Sequence, residues 1–149
     1  MEQLQFPAYS FRLKNSKNKL HIFCSIRKKF LILTPEEWVR QHVIAFLIET
    51  KNYPKSLINV ERQIQIGPVS KRYDIVIYKS DGTLQLIVEC KAPKVAITQE
   101  TFDQIARYNL GLQADLLMVT NGLSHYYCTL DYEHSCYYFL KDLPSFEKP

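Results

Sequence analysis

Long apolar runs are absent from this chain. No stretch approaches the roughly 18 consecutive apolar residues that a membrane-spanning helix requires, so no membrane partner is expected. The opening residues, MEQLQFPAYS, lack the basic start and apolar centre of a secretory signal. The expected compartment is therefore the cytoplasm. No Cys-x-x-Cys pair occurs, and Cys24, Cys90, Cys128 and Cys136 keep no zinc-finger spacing with His21, His42, His125 or His134. Reduced, buried thiols are expected instead. His125, Cys128, His134 and Cys136 could be grouped as a metal cluster, but they fall within alternating aromatic strands, a pattern set by packing. There is no internal repeat or low-complexity segment, and the phosphate-binding pattern G-x-x-x-x-G-K-[ST] of nucleotide-driven motors is missing.

What remains is an ordinary globular composition, 46% hydrophobic and 23% charged, on a chain of 149 residues. That length suits one domain with a sizeable core, residues 1–149. The net charge of +4 permits nucleic acid as a partner without requiring it.

Residues 11–14 and 21–26 read as strands around the polar turn Asn15-Ser16-Lys17-Asn18, an N-terminal β-hairpin within an extension over residues 1–33. Lys14, Lys17, Lys19, Arg27, Lys28 and Lys29 make it basic. Such a set is most simply a solvated face; the alternative is phosphate contact, with Lys28, Lys29 and Arg72 as the DNA-binding candidates.

A third short run at 30–33 ends the extension and leads into the core, residues 34–149, at the clearest helix start: Thr34 as N-cap, Pro35 at the first helical position and Glu37 closing a capping box. Trp38, Val39, His42, Val43, Phe46 and Leu47 recur at helical spacing, which carries a helix to about residue 50 with that face buried. His42 is expected to be a hydrogen-bonded core residue. Residues 57–66 read as a strand broken at Gly67-Pro68, and Thr98-Gln99-Glu100 opens a second helix with Phe102, Ile105, Ala106, Asn109 and Leu112 inward. Residues 115–120, 124–130 and 137–140 read as further strands.

The stretch with most chemistry in it is RYDIVIYKSDGTLQLIVECK, residues 72–91. Asp-Gly between two β-branched runs is a hairpin signal. With Asp81 and Gly82 as the turn, Ser80 faces Thr83 and Asp74 lies opposite Glu89. Lys91, two residues on, returns to the same face, together with Val76 and Ile87, while Tyr73, Ile75, Ile77, Leu84, Leu86, Val88 and Cys90 line the other. Both faces are apolar, so two opposed carboxylates would sit inside the domain, repelling each other and poorly solvated. Lys91 compensates part of that charge, and the cluster could serve only to hold the sheet. A divalent cation is the stronger account, because hard cations take carboxylate oxygens and structural ion clusters seldom outperform apolar packing.

At these residues the chain resembles a known family. Asp74, followed by Glu89-Cys90-Lys91 across a hairpin, is similar to the signature of the PD-(D/E)xK nuclease superfamily, with Tyr73 in place of the proline. Gln104-Ile-Ala-Arg-Tyr108 matches the QxxxY element of RecB-type members. Across about residues 34–130 the wording most resembles the N-terminal nuclease domain of type I restriction enzyme R (HsdR-type) subunits. The resemblance implies an α/β, restriction-endonuclease-like fold, a mixed central β-sheet flanked by helices. It implies a DNA endonuclease dependent on Mg²⁺, with Mn²⁺ as substitute, held by Asp74, Glu89 and the main-chain carbonyl of Cys90. Lys91 would handle the attacking water, Gln104 and Tyr108 would position the phosphate or Lys91, and Glu37 would be the additional acid that such enzymes often carry on the preceding helix. Other restriction subunits, including a separate helicase motor, are the implied partners. The rival expectation is a catalytically silent DNA-binding or assembly module of a restriction-modification system.

Overall fold

The computed structural model of the protein describes residues 1–147. The N-terminal segment forms a three-stranded antiparallel sheet, β1 (Leu13–Ser16), β2 (Lys19–Cys24) and β3 (Lys29–Ile32). Lys17 and Asn18 both take positive φ, 53° and 64°, which gives a two-residue turn the twist that hairpin strands need. Asn15 and Ser16, expected in the turn, are therefore strand residues, paired with Leu20 and Lys19. The expected hairpin also gains a third strand. Alternation puts Ile22, Cys24 and Leu31 on one face, and Cys24 and Leu31 pack into the same core as Val39 and Val43 of the following helix.

That helix, α1 (Pro35–Ala45), starts as the sequence dictates, with Thr34 Oγ1 accepting the Glu37 N–H at 3.0 Å. The capping box is only half formed. The Glu37 carboxylate turns away from the cap backbone to accept from Arg27, Arg40 and Gln41, because three charged or amide donors in a buried place outweigh one backbone N–H. A π-helical turn, Phe46–Thr50, carries the helix to its expected end. His42 is a core residue hydrogen-bonded through Nδ1 to Trp38 O at 2.8 Å.

The main sheet has six strands in chain order: β4 (Ile58–Ile66), β5 (Val69–Tyr78), β6 (Leu84–Cys90), β7 (Leu116–Thr120), β8 (His125–Asp131) and β9 (Cys136–Leu140). Among the described residues only β6 and β7 run parallel, and they are joined by helix α2 (Gln99–Asn109), the crossover that a parallel pair requires. On one face Ile75, Ile77, Leu86, Val88 and Met118 pack against α1; on the other Val76, Ile87, Leu117 and Val119 pack against Phe102 and Ala106 of α2. A mixed sheet between two helices is the α/β restriction-endonuclease-like arrangement that the resemblance implies. The N-terminal tail is tied across this body by Gln5 N donating to Gly122 O at 2.8 Å. Gly122 has φ +86° and a Cβ there would stand 2.9 Å from Leu4, so no other residue fits without displacing the tail.

The central hairpin reaches the expected register by an unexpected route. Lys79 N donates to Thr83 O at 2.7 Å, so the turn holds three residues, Ser80, Asp81 and Gly82, rather than two, with Gly82 at φ +89°. Tyr78 consequently pairs with Leu84, one residue short. A bulge at Gln85 then restores the alignment, and Ile77, Val76 and Ile75 oppose Leu86, Ile87 and Val88. The two departures cancel because a slip of one residue would turn every side chain of β6 to the wrong face.

All four cysteines are free; Cys24, Cys90 and Cys128 are buried and Cys136 is half-buried. Among the described residues no helix is long and apolar enough to cross a membrane.

Candidate active site

The hairpin brings Asp74, in the middle of β5, beside Glu89 near the end of β6, one register step beyond the Ile75–Val88 pair. Strict alternation would put Tyr73 with Ile75, yet Tyr73 packs with Val76 and Ile87 on the α2 face. The pattern breaks at Asp74. There the β4–β5 ladder skips the step between Val60–Ile75 and Arg62–Tyr73, and the facing residue, Glu61, has φ +54°. Asp74 uses this break to reach α1: its Oδ1 accepts from Arg40 Nη2 at 2.8 Å, and its Oδ2 accepts the Cys90 N–H at 2.8 Å.

Arg40 was invisible as a site residue in the sequence. It lies 7% exposed and its guanidinium joins Asp74 to Glu37, at 2.6 Å, and to Glu36, at 3.3 Å. Burial works against its charge, but Asp74 and Glu37 outweigh that and hold its pKa above the ordinary range. Glu37 also accepts from Arg27 Nη2 at 2.6 Å, and Arg27 continues to Glu61 at 3.3 Å. Glu37, the expected extra acid, is thus a buried anchor for two arginines.

Glu89 stands on the α2 side and bonds a second residue that the sequence reading passed over. Lys71 Nζ lies 3.2 Å from Glu89 Oε1, with the rings of Tyr108 and Tyr73 at 4.5 and 4.8 Å from the same ammonium. The signal for it was available. Lys71 precedes Tyr73 by two residues in a strand that begins at Val69, earlier than the aliphatic run suggests. Glu89 is 7% exposed, and burial pushes its carboxyl up to about 7, helped by the charge of Asp74 and opposed by Lys71 and Lys91. Glu89 therefore feels the charges of both Asp74 and Lys91, but the single shared face expected from the hairpin is not formed: Asp74 turns to Arg40 on the α1 side, whereas Glu89 keeps to the α2 side with Lys71.

Lys91 continues the strand direction, its N–H bonded to Thr120 O at 2.8 Å, and its side chain is half-buried. Cys90 between them is buried, and burial together with the Asp74 charge pushes its thiol well above the ordinary range, which leaves its main chain as the useful group. On α2, Tyr108 faces Lys71 rather than Lys91, and Gln104 is exposed with no side-chain hydrogen bond among the described residues. Lys28 and Lys29, at the β2–β3 turn, and Arg72, opposite Gln63 on β5, are exposed.

Among the described residues no three His, Cys, Asp or Glu side chains converge as a ready metal cage. Two carboxylates of which one is buried and driven toward protonation nevertheless suit a hard divalent cation, since a carboxylate pair in contact with Arg40 and Lys71 still has lone pairs unused. Two buried polar atoms beside the pair, Arg40 Nε and the Tyr73 hydroxyl, have no hydrogen-bond partner among the described residues, which fits a site built to receive a further polar group.

No curated protein matches the chain significantly. The sequence model of the type I restriction enzyme R protein N terminus (HSDR_N) matches residues 35–144, from the start of α1 to just past β9. The matched span contains Asp74, Glu89, Lys91 and both helices, and on that match the chain belongs to the type I restriction enzyme R protein N-terminal family.

Proposed function

We propose that this domain hydrolyses DNA phosphodiester bonds with a bound Mg²⁺ or Mn²⁺, as the nuclease part of a type I restriction system. The observation that carries this reading is the Asp74–Glu89 pair, in which burial and the neighbouring charge lift Glu89 to about 7. An ionised pair of this kind is relieved by a cation. Asp74, Glu89 and the Cys90 main-chain carbonyl would hold the ion, which when bound neutralises phosphate charge and acidifies water. Lys91 then orients the attacking water and donates to the phosphate oxygen as charge develops on it. Lys71, braced by Tyr108, keeps Glu89 oriented, while Lys28, Lys29 and Arg72 offer charge to flanking phosphates. The chain has no G-x-x-x-x-G-K-[ST] sequence, so any helicase motor acting with it lies outside these 149 residues.

One observation favours the silent-module reading. Asp74 and Glu89 are already paired with Arg40 and Lys71, so the site is charge-compensated without a metal. Incubating purified protein with supercoiled, linear and single-stranded DNA in Mg²⁺, Mn²⁺ or EDTA separates the two. Metal-dependent cleavage that disappears in Asp74→Asn supports the enzyme. No cleavage with either metal on any DNA form, with or without added restriction subunits, overturns it.

A further inference from the structure

Charge is segregated along this chain. Between Glu2 and Glu36 there are seven Lys or Arg and no Asp or Glu, so the remainder, with 12 basic and 15 acidic side chains, is net negative. The basic segment is the three-stranded sheet β1–β3 and its turns, which precede the family match at residues 35–144. Its inner face is taken up by Ile22, Cys24 and Leu31. The opposite face carries Arg12, Lys14, Lys19, His21, Phe23 and Phe30, with the lysines and Arg12 exposed and the two rings half-buried.

Phe23 and Phe30 are cross-strand partners with ring centroids 5.2 Å apart. The Arg12 guanidinium stands 4.5 Å from the Phe23 centroid, and Lys14 Nζ stands 4.2 Å from that of Phe30. Such exposed cation–π contacts are weak, so Lys14 can leave its ring at little cost, and a guanidinium plane is itself a surface on which a base can stack. Adjacent aromatic rings on a sheet whose own strands carry cations and no Asp or Glu match what an unpaired polynucleotide offers: π-faces between phosphates. A duplex offers its phosphates but keeps its bases stacked on each other. His21, Phe30 and Ile32 also border the open cleft, of about 630 Å³, whose other wall holds Glu36, Glu37 and the Asp74 partner Arg40.

We propose that the outer face of the β1–β3 sheet is a binding platform for single-stranded DNA, on which bases stack at Phe23 and Phe30 while Arg12, Lys14 and Lys19 take the phosphates. The choice of DNA rests on the nuclease reading; the stacking and the charge do not. The platform lies beside the Arg40 cleft and holds an unpaired strand near Asp74 without contributing to the chemistry there.

The test is fluorescence anisotropy of labelled oligo-dT in EDTA, which reads binding without metal or cleavage. Full-length wild type is expected to bind oligo-dT several-fold tighter than a duplex of the same length. Phe30→Leu, which keeps an apolar side chain but removes the ring, should weaken oligo-dT binding at least about fivefold, the scale of one lost base stack. Lys14→Gln with Lys19→Gln, both on exposed positions that cannot threaten folding, should flatten the salt dependence by about 1.4, two single-strand phosphate contacts. The proposal is overturned if duplex binds as well as oligo-dT, if both variants bind oligo-dT like wild type, or if oligo-U or phosphatidylserine vesicles are bound in preference to oligo-dT. Its failure is distinct from failure of the nuclease reading. Oligo-dT binding without any Mg²⁺-dependent cleavage leaves the platform standing, and cleavage by a protein whose platform variants bind normally removes only the platform.

Discussion

Replacing Glu89 by glutamine should make the protein more stable, not less, at alkaline pH. In the folded chain burial and the Asp74 charge move the Glu89 carboxyl from 4.5 to about 7. Below pH 4.5 both folded and unfolded chains hold the proton and Glu89 is neutral in its effect. Between 4.5 and 7 the unfolded chain gives up the proton while the folded one keeps it, so stability falls as pH rises through that window and stays reduced above it. A shift of this size corresponds to roughly 3 kcal/mol at pH 8.5 and under about 1 kcal/mol at pH 5. The attraction of Lys71 is already contained in that shift, and an amide oxygen can still accept from its ammonium. In EDTA, Glu89→Gln should therefore melt roughly 5–10 °C above wild type at pH 8.5, and the two should approach each other near pH 5. Added Mg²⁺ should then raise the wild-type melting temperature at pH 8.5 and leave the variant nearly unmoved. Thermal melts followed by circular dichroism across pH 5–8.5 provide the measurement. Parallel wild-type and variant curves, or a variant less stable at pH 8.5, would refute the placement of Glu89 as a strained, buried carboxylate.

Lys91→Ala should abolish cleavage while the Mg²⁺-dependent rise in melting temperature persists; loss of both together would mean that Lys91 holds the site together rather than serving the reaction. Arg40→Met removes the one cation shared by Asp74 and Glu37, and should cost about 3–5 kcal/mol in urea titrations at pH 7.5 without metal, part of it recovered on adding Mg²⁺. A cost below about 1 kcal/mol would count against the network. Deleting Gln85 removes the bulge but leaves Ile77 beside Leu86, so the deletion should fold and cost no more than about 2 kcal/mol. Deleting Ile87 should prevent folding, and equal effects of the two deletions on the melt would contradict the register.

Much of this protein could be read locally. Thr34 caps α1 and Thr98 caps α2 because a side-chain oxygen two or three residues before free backbone N–H groups needs no distant partner. Asp74, Glu89 and Lys91 could be brought together on paper because a hairpin is local and its apolar runs dictate which faces must be buried. The core register of the hairpin follows from that pattern although the turn is longer by one residue, since the buried side chains of β6 enforce the realignment at Gln85.

Other features depend on segments distant in sequence. Arg40 and Asp74 are 34 residues apart, and their pairing arises only where α1 packs over the sheet and the ladder opposite Glu61 is interrupted. No periodicity in the helix distinguishes Arg40 from a solvated arginine. Lys71 likewise meets Glu89 only because Tyr73 leaves the alternation at Asp74 and turns to the α2 face, where Tyr108 closes over the ammonium. The sequence by itself determined the helix starts, the hairpin and its core register, because those follow from periodicity and turn chemistry within a few residues. Only the tertiary structure decided which cation answers each carboxylate, because buried charge is compensated by whatever the packing brings near, and packing is not a property of any one stretch of chain.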